Sequence, residues 1–312
     1  MNFLITGGAG FIGSNCVEKF LILGHNVRVV DNLSTGKYAN IAEFSSGIEF
    51  IEGGIEDYEI ARCAVEGMDY IIHLAAIPSV QFSVEDPLKS NESMVTASLS
   101  LFKAAVDYGK IKRIVQAVSA AAYGDNPRLP KNEDMVPEPL SPYAVAKLSQ
   151  EYYGRVFGNI YGLQVTSLRF FNVYGPKQDP KSPYSGVISN FLSKILIGQR
   201  PTIFGDGSDT RDFVYIDDVL NALYNGCLVD WTGRSEVINI GTGLQTDINR
   251  LIIILNNINE TDIEPNYTEP RAGDILHSVA DIARAKKILD YKPRIGIEEG
   301  MKLLMNYMKD KG

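Results

Sequence analysis

The stretch TGGAGFIG (residues 6–13) decides how the beginning of the chain folds. Its glycines at 7, 10 and 13 follow a G-x-x-G-x-x-G spacing between an apolar run at 2–6 and a helical pattern at 13–23. Without Cβ atoms, these positions allow a tight turn, a close approach of phosphate to backbone, and close packing of helix on strand. A helix that starts here presents free N–H groups and partial positive charge. The context predicts a pyrophosphate-binding turn.

Outward from this turn, short apolar runs alternate with helical patterns through the first half of the chain. The predicted strands are 2–6, 26–31, 48–52, 70–74, 113–118 and 164–169. The predicted helices are 13–23, 56–66, 91–108 and 142–160. Strands that alternate with helices predict an α/β fold with a Rossmann-like, doubly wound parallel sheet.

Asp31 ends the second predicted strand, about 20 residues past the glycines. A carboxylate at this place can accept hydrogen bonds from both ribose hydroxyls of NAD, and its charge would repel the 2′-phosphate of NADP. The sequence therefore predicts NAD as the cofactor. The alternative is that Asp31 only caps the following turn, NLSTG (residues 32–36).

The regular alternation ends near Phe170, where proline and glycine break the pattern into loops. Regular α/β character returns at 213–227 and 237–240. We therefore expect an NAD-binding domain of residues 1–170 plus about 213–242. Residues 171–212 and 243–312 are expected to form a smaller C-terminal substrate-binding lobe.

The spacing Tyr-x-x-x-Lys occurs three times, at Tyr108/Lys112, Tyr143/Lys147 and Tyr307/Lys311. The first copy straddles a glycine at a helix end, and the third lies in the last residues, where we expect fraying. Only the middle copy follows a helix start, with Ser141 as N-cap and Pro142 at the first helical position. The middle copy is therefore the candidate for catalysis.

Tyr143, Lys147 and Ser119 are the predicted catalytic residues. One helical turn places the Lys147 ammonium beside Tyr143, where it and the positive nicotinamide ring would lower the tyrosine pKa from about 10 toward working pH. Ser119 follows a predicted strand at the sheet edge where ligands collect, and its hydroxyl can bond to a substrate oxygen. The alternatives are a solvated helix face for the pair and an ordinary strand-end hydroxyl for Ser119.

The bulk composition narrows the class of protein. The 312 residues are 45% hydrophobic and 22% charged, as in a globular protein with a large core. A net charge of −8 argues against a nucleic-acid or anionic-membrane surface. No apolar run approaches the roughly 20 residues a bilayer needs, and no leader precedes the first strand, so we expect a cytoplasmic protein without a membrane partner.

The cysteines and histidines do not predict a metal site or a disulfide. Three scattered cysteines, at 16, 63 and 227, show no CxxC spacing and fit a reducing compartment. The histidines at 25, 73 and 277 lack ligand or Ser-His-Asp spacing, so core or surface roles are expected.

Over nearly its whole length, the sequence resembles the extended short-chain dehydrogenase/reductase family, specifically its UDP-glucose and UDP-N-acetylglucosamine 4-epimerases. The matching stretches are TGGAGFIG (6–13), DNLSTG (31–36), HLAA (73–76), SPYAVAK (141–147), LRFFNVYGP (168–176), IFGDGSDTRDFVYIDD (203–218) and PRAGDILHSVADIARAKKIL (270–289). The resemblance implies that Tyr143 takes the proton of the sugar 4-hydroxyl while NAD takes the C4 hydride. The 4-keto sugar then turns over and the hydride returns to its other face.

The resemblance also implies the contacts of the two ligands. NAD would contact Gly7, Gly10, Phe11, Ile12, Gly13, Asp31, Asn32, Ser34, Thr35, Gly36, Ile55, Leu74, Ala75, Ala76, Tyr143 and Lys147. The UDP-sugar would contact Ser119, Tyr143, Asn172, Val187, Phe204, Arg211, Arg271, Asp274 and Ser278. Among these, Asn172 and the two arginines are implied on the diphosphate, Phe204 on the uracil and Asp274 near the ribose. The arginines could instead form surface ion pairs. A homodimer that packs through helices near 91–108 and 142–160 is also implied.

Four departures from the family pattern bear on function. Related dehydratases and decarboxylases carry acids after Ser119, where this chain has three alanines, so dehydration and decarboxylation are disfavoured. Ser278 stands where epimerases restricted to unacetylated sugars have a tyrosine, which predicts acceptance of acetylated sugars too. Gly54 replaces an aspartate that bonds the adenine amine, a contact that would be missing or supplied by Asp57. Met94 replaces an asparagine behind the nicotinamide.

Two alternatives to a UDP-glucose/UDP-N-acetylglucosamine 4-epimerase stay open from the sequence. One is a UDP-glucuronate 4-epimerase, which needs a cationic or hydroxyl-rich partner for the C6 carboxylate. The other is a non-catalytic NAD-binding regulator on the same fold. Such a regulator has no reason to keep Ser119, Tyr143 and Lys147 together.

Overall fold

The computed structural model describes residues 1–180, 186–230, 233, 235–270 and 275–311. Within these ranges the strands are β1 (Asn2–Thr6), β2 (Asn26–Asp31), β3 (Ile48–Glu52), β4 (Tyr70–His73), β5 (Arg113–Ser119), β6 (Val165–Phe170), β7 (Asn172–Tyr174), β8 (Thr202–Phe204), β9 (Thr210–Arg211), β10 (Phe213–Tyr215), β11 (Ser235–Ile240), β12 (Thr246–Asp247) and β13 (Asn266–Thr268). The six predicted strands are present, with ends shifted by one residue at most.

Seven of these strands form one parallel sheet in the order β11-β6-β5-β4-β1-β2-β3. The order β3-β2-β1-β4-β5-β6 is that of a doubly wound nucleotide-binding fold, in which the crossovers change direction between β1 and β4. Ligands bind outside the carboxyl ends of the strands at that point. The predicted fold class is confirmed.

Both faces of the sheet are covered, as the nearly continuous apolar sequences of its strands predict. Phe3 and Ile5 belong to one buried cluster and Leu4 to the other, because successive side chains of a strand point to opposite faces. Every residue of β6 is buried. The strand ends that carry functional side chains are therefore held in place from above and below.

The helices of the described ranges are α1 (Phe11–Ile22), α2 (Tyr58–Val65), α3 (Val80–Glu85), α4 (Pro87–Asn91), α5 (Ala97–Tyr108), α6 (Pro142–Tyr161), α7 (Val187–Leu196), α8 (Ile216–Leu228), α9 (Ile248–Asn259), α10 (Ala283–Leu289) and α11 (Ile297–Lys311). As predicted, α6 begins at an N-cap serine: the Ser141 hydroxyl accepts from the Ala144 amide at 3.2 Å, and Pro142 follows. No helix in these ranges has the length and apolarity to cross a membrane.

The predicted helix at 91–108 is not one regular helix. Residues Glu92–Thr96 form a π-helical turn between α4 and α5. The Met94 carbonyl accepts from the Ser98 hydroxyl at 2.5 Å and from the Gln150 amide at 3.4 Å, so side chains satisfy the disturbed helix ladder. Met94 itself is fully buried. The apolar spacing of 91–108 did not separate this turn from the helices on either side of it.

The later strands form three small pairs beside the large sheet: β7 with β10, β9 with β12, and β8 with β13. Of the two segments expected to return to the nucleotide-binding domain, 237–240 lies in β11 of the large sheet, whereas 213–215 forms β10 and pairs with β7. The helix that follows, α8, packs on α1, β5 and β6. The division into two lobes remains a prediction.

Candidate active site

A cavity of about 1120 Å³ lies at the carboxyl ends of the strands. Its volume exceeds the usual range for a drug-sized ligand, as a dinucleotide and a second ligand require. Of the predicted NAD contacts, all except Gly36 line it. Gly36 instead lies against Ala9, where a Cβ would be 2.9 Å from the backbone.

The glycine turn performs the packing that its spacing predicts. Gly7 has φ +68°, and a Cβ there would lie 2.8 Å from the Ala75 backbone. A Cβ on Gly13 would overlap the Gly7 carbonyl. The first residues of α1 line the cavity, so its helix N-terminus opens onto it. These positions fit a dinucleotide pyrophosphate, because the backbone is left bare where the phosphates approach.

Asp31 lines the cavity at the end of β2 and is 8% exposed. Its carboxylate accepts from the Ala9 amide at 2.9 Å and from the Leu33 amide at 2.8 Å. Burial raises the pKa of Asp31, and these two hydrogen bonds oppose the rise. The carboxylate therefore does cap the turn, the alternative considered above, and it also faces the space where a ribose would lie.

Ser119, Tyr143 and Lys147 come together at the same cavity. Ser119 is the last residue of β5, Tyr143 lies in the first turn of α6, and Lys147 lies one turn later. The Ser119 hydroxyl accepts from the Ala121 amide at 3.1 Å and is hydrogen-bonded to Tyr143. The Lys147 ammonium donates to the Ala117 carbonyl at 2.8 Å. The pair is thus not on a solvated helix face.

Burial shifts the pKa values of both Tyr143 and Lys147. Burial raises the pKa of Tyr143, and the hydrogen bond with Ser119 opposes the rise only in part. Burial also lowers the pKa of Lys147 to about 7. In the protein alone, removing the phenolate from water outweighs the favourable contacts of Tyr143. The expectation that Lys147 and the nicotinamide ring together lower the tyrosine pKa stays a prediction.

The other two Tyr-x-x-x-Lys copies have different surroundings. The Tyr108 hydroxyl accepts from the Gly67 amide at 2.9 Å, a structural contact away from the cavity. Tyr307 lies within α11 and lines the cavity, so the expectation of a frayed end there was wrong. The helix reaches the cavity because its apolar side packs into the core.

The predicted substrate residues are distributed over the cavity and the neighbouring small strands. Asn172 lines the cavity at the start of β7, and its backbone N–H donates to the Asp212 backbone carbonyl at 2.9 Å. Arg211 in β9 donates to the Thr210 and Leu276 carbonyls, both at 3.0 Å. The buried Ser278 also bonds to Thr210, through its amide at 3.0 Å. Arg211 and Ser278 are therefore on adjacent segments.

Two predicted substrate residues lie further along the same region, and two cannot be placed. Val187 begins α7, and Phe204 ends β8 with 37% of its surface exposed. Four of the predicted substrate residues in the described part of the chain do not line the cavity: Val187, Phe204, Arg211 and Ser278. Arg271 and Asp274 lie outside the described residues.

Several residues that line the cavity were not predicted. Lys177, Gln178 and Asp179 follow β7, where the sequence shows only a loop. Asp179 forms an ion pair with Lys37, and Lys177 pairs with Glu18 at 2.9 Å, which joins this loop to the region around α1 and β2. No periodic signal marks such contacts, since they depend on how distant loops meet.

Asp57, suggested for the adenine contact, does not line the cavity. Asp57 is the N-cap of α2, and its carboxylate accepts from the Glu59 amide at 2.8 Å and from the Ile60 amide at 3.5 Å. Gly54, Ile55 and Glu56 line the cavity instead. Both hydrogen bonds go to Oδ1, so Asp57 acts as a helix cap, and its contact with adenine stays a prediction.

The sheet order, the glycine turn and the Ser-Tyr-Lys group together are those of the extended short-chain dehydrogenases/reductases. Comparison with known families narrows the class. Residues 3–241 match the model of the NAD dependent epimerase/dehydratase family, and the chain belongs to that family. NAD is accordingly its cofactor.

Three relatives illustrate the range of substrates in the group. UDP-glucose 4-epimerase from Thermotoga maritima, solved with UDP-glucose, is 40% identical, with 100% of this chain and 99% of that chain covered and a TM-score of 0.94. UDP-N-acetylglucosamine 4-epimerase from Methanobrevibacter ruminantium, solved with UDP-N-acetylmuramic acid, is 38% identical with the same coverage and TM-score. UDP-glucuronate 4-epimerase from Thermodesulfobacterium geofontis is 34% identical over 99% of this chain and 96% of its own.

Proposed function

We propose that this chain is an NAD-dependent 4-epimerase that interconverts UDP-glucose with UDP-galactose and UDP-N-acetylglucosamine with UDP-N-acetylgalactosamine. The observation that carries the proposal is that Ser119, Tyr143 and Lys147 line the cavity onto which the N-terminus of α1 opens. A proton-transfer group and a dinucleotide site thus share one space. The family membership and the epimerase relatives support 4-epimerisation of a UDP-sugar.

Each of the three side chains has a distinct task in this reaction. Bound NAD supplies a hydride acceptor and donor at its nicotinamide ring. The Tyr143 oxygen removes the proton of the sugar 4-hydroxyl and later returns one. The Ser119 hydroxyl, already bonded to Tyr143, orients the same sugar oxygen. Lys147, held by the Ala117 carbonyl, provides a cation one turn from the phenol when it is protonated. The sugar is oxidised at C4, turns over as the 4-keto species and is re-reduced on its other face, so C4 is inverted with no net oxidation.

The segment after Ser119 supports epimerisation over elimination. Residues Ala120–Tyr123 form a 3₁₀ turn directly after β5, beside the catalytic hydroxyl. An elimination requires an acid and a base at this place, whereas the first three side chains of the turn are methyl groups. Ala120, Ala121 and Ala122 offer no proton donor for loss of a sugar hydroxyl as water, and the buried Tyr123 hydroxyl donates to Asn239.

The breadth of the sugar specificity rests on Ser278. Its small side chain is buried next to Thr210, on a segment adjacent to Arg211. A serine leaves volume that a tyrosine would fill, and we assign that volume to the N-acetyl group at C2 of the sugar. Arg211, Arg271 and Asn172 are assigned to the diphosphate, since guanidinium groups bind phosphate in bidentate fashion and a side-chain amide donates to a phosphate oxygen.

A second candidate is a UDP-glucuronate 4-epimerase, because a relative with that name is 34% identical over almost the whole chain. This substrate carries a carboxylate at C6, which requires a cation or several hydroxyl donors. A side-by-side assay distinguishes the two candidates.

We further propose that the enzyme is a homodimer whose interface includes α6. Val145, Tyr152, Val156 and Ile160 are exposed on one face of this helix. Val80, Val84 and Leu88 on the adjoining α3 and α4 are also exposed, whereas within 91–108, all of it described, no large apolar side chain is exposed. A contiguous apolar face of this kind is typical of a protein interface. The interface we propose therefore uses α3 and α4 in place of α5.

The experiment that tests the function is an NMR time course with the purified protein and each of three substrates: UDP-glucose, UDP-N-acetylglucosamine and UDP-glucuronate. We expect the C4 epimers of the first two to accumulate to equilibrium, with no change in the third. Turnover of UDP-glucuronate alone would establish the second candidate. No conversion of any of the three would contradict the proposal.

A further inference from the structure

The cavity has a defined direction, which identifies its adenine end. The catalytic side chains lie at β5 and α6, the glycine turn follows β1, and Asp31 ends β2. A dinucleotide with its reactive ring at β5 and its pyrophosphate at the turn therefore extends past β2 toward β3. The wall beyond β3 includes residues 53–56, directly after that strand. The base of a bound adenosine would meet this wall.

Glu56 projects into the space next to Gly54. A Cβ atom on Gly54 would overlap both carboxylate oxygens of Glu56. The Gly54 backbone does not have positive φ, so the conformation does not itself require glycine there. The missing side chain at 54 is what leaves room for the Glu56 carboxylate at the cavity wall.

The main chain around Glu56 is held by two hydrogen bonds. The Asp57 amide donates to the Gly54 carbonyl at 3.2 Å, which closes a turn, and the Ser100 hydroxyl donates to the Glu56 carbonyl at 3.1 Å. Ile55, between them, is 2% exposed and anchors the turn in the core. The Glu56 side chain thus extends from a fixed support.

The other acids near this end already have partners. Asp31 accepts from two backbone amides, Asp57 caps α2, and Asp179 is paired with Lys37. Glu56 is half-buried and lines the cavity. Of the acidic side chains in the described part of the cavity wall, it is the one positioned at 53–56 to meet a base.

We propose that Glu56 accepts a hydrogen bond from the 6-amino group of the adenine of NAD, and that it thereby selects adenine over a base with oxygen at that position. A carboxylate accepts from an amino group and repels a carbonyl oxygen. The proposal depends on NAD binding and not on which sugar nucleotide is the substrate. It gives Gly54 a role as well, because any side chain there displaces the carboxylate.

The test is a competition between NAD and nicotinamide hypoxanthine dinucleotide, which has oxygen in place of the 6-amino group. The purified protein is equilibrated with an excess of a one-to-one mixture of the two dinucleotides, and unbound nucleotide is removed by gel filtration. The protein is then denatured and the released dinucleotides are quantified. We expect the wild-type protein to retain NAD in preference by about tenfold, since a hydrogen bond to a charged group is lost with the analogue.

Two variants and one control make the test specific. Glu56→Ala removes the carboxylate, and Gly54→Ala displaces it while keeping its charge, so both should bind the two dinucleotides about equally. Glu52→Ala removes an exposed acid at the end of β3 that does not line the cavity, and should behave as wild type. Retention of the wild-type preference by either Glu56→Ala or Gly54→Ala, or equal binding by the wild type itself, overturns the proposal. The readout is bound nucleotide, so it is independent of epimerase activity.

Discussion

The Lys147 ammonium donates to the Ala117 carbonyl at 2.8 Å, which ties the second turn of α6 to the end of β5. Ser119 lies two residues further along the same strand, and Tyr143 one turn earlier on the same helix. This one hydrogen bond therefore helps to fix the relative position of all three proposed catalytic residues.

Burial of Lys147 predicts a specific dependence of stability on pH. Its pKa is about 7 in the folded protein and 10.5 is the ordinary value, so the unfolded chain binds more protons between these two pH values. The stability of the nucleotide-free protein, relative to Lys147→Met, should rise with pH across that window by up to about 1.4 kcal/mol per unit. Urea unfolding of both proteins at several pH values measures this difference. If the unfolding free energies of the two proteins changed in parallel with pH, the pKa of Lys147 would not be lowered in the folded protein.

Asp31 predicts the discrimination between NAD and NADP. Asp31→Asn removes the charge that faces the ribose and should weaken NAD binding. The ratio of the NAD affinity to the NADP affinity should fall by about tenfold or more. Titration of the nucleotide-free protein with each dinucleotide measures both affinities. Glu52→Gln is the matched control, because Glu52 pairs with Asp31 across β2 and β3 but does not line the cavity. An unchanged ratio for Asp31→Asn is incompatible with its assigned role.

Ser278 predicts the response to a larger side chain. Ser278→Tyr should reduce kcat/KM for UDP-N-acetylglucosamine by at least about tenfold, with a smaller effect on UDP-glucose, because a single steric group is typically worth about 1–3 kcal/mol of discrimination. The two substrates are assayed with the same enzyme preparation. Equal loss on both would mean that Ser278 does not border the C2 substituent.

The exposed face of α6 predicts the oligomeric state. The double variant Val156→Glu/Ile160→Glu places two charges in the proposed interface and should convert the dimer to monomers, measured as molar mass by light scattering. Ile22→Glu is the control, since Ile22 is 78% exposed but lies on α1. A monomeric wild-type protein, or an unaffected double variant, would argue against the interface.

Local sequence patterns predicted the large sheet because each of its strands has a recognisable sequence of its own. Runs such as 26–31 are apolar and β-branched, they lie between helical patterns, and β2 has these same limits. The short strands β8, β9, β12 and β13 contain two or three residues each, too few for a period, and their partners are distant in sequence. They could not be predicted from local patterns.

The same distinction applies to the site. Gly7, Asp31 and Tyr143 are marked by spacing and by their place at strand ends or helix starts, so the sequence identified them. Glu56 and Tyr307 reach the cavity because of where α2 and α11 begin and pack, which no motif records. The rise in the Tyr143 pKa depends likewise on burial, which appears only when the chain is folded.

The central claim is that the Tyr143 oxygen carries the proton in C4 epimerisation, and Tyr143→Phe tests it directly. With UDP-glucose followed by NMR, we expect the variant to interconvert the substrate more than about a hundredfold more slowly than wild type, because general acid–base catalysis contributes that much or more. Its retained NAD, measured after denaturation, should be unchanged. A Tyr143→Phe protein that holds NAD and epimerises UDP-glucose at the wild-type rate would contradict the account.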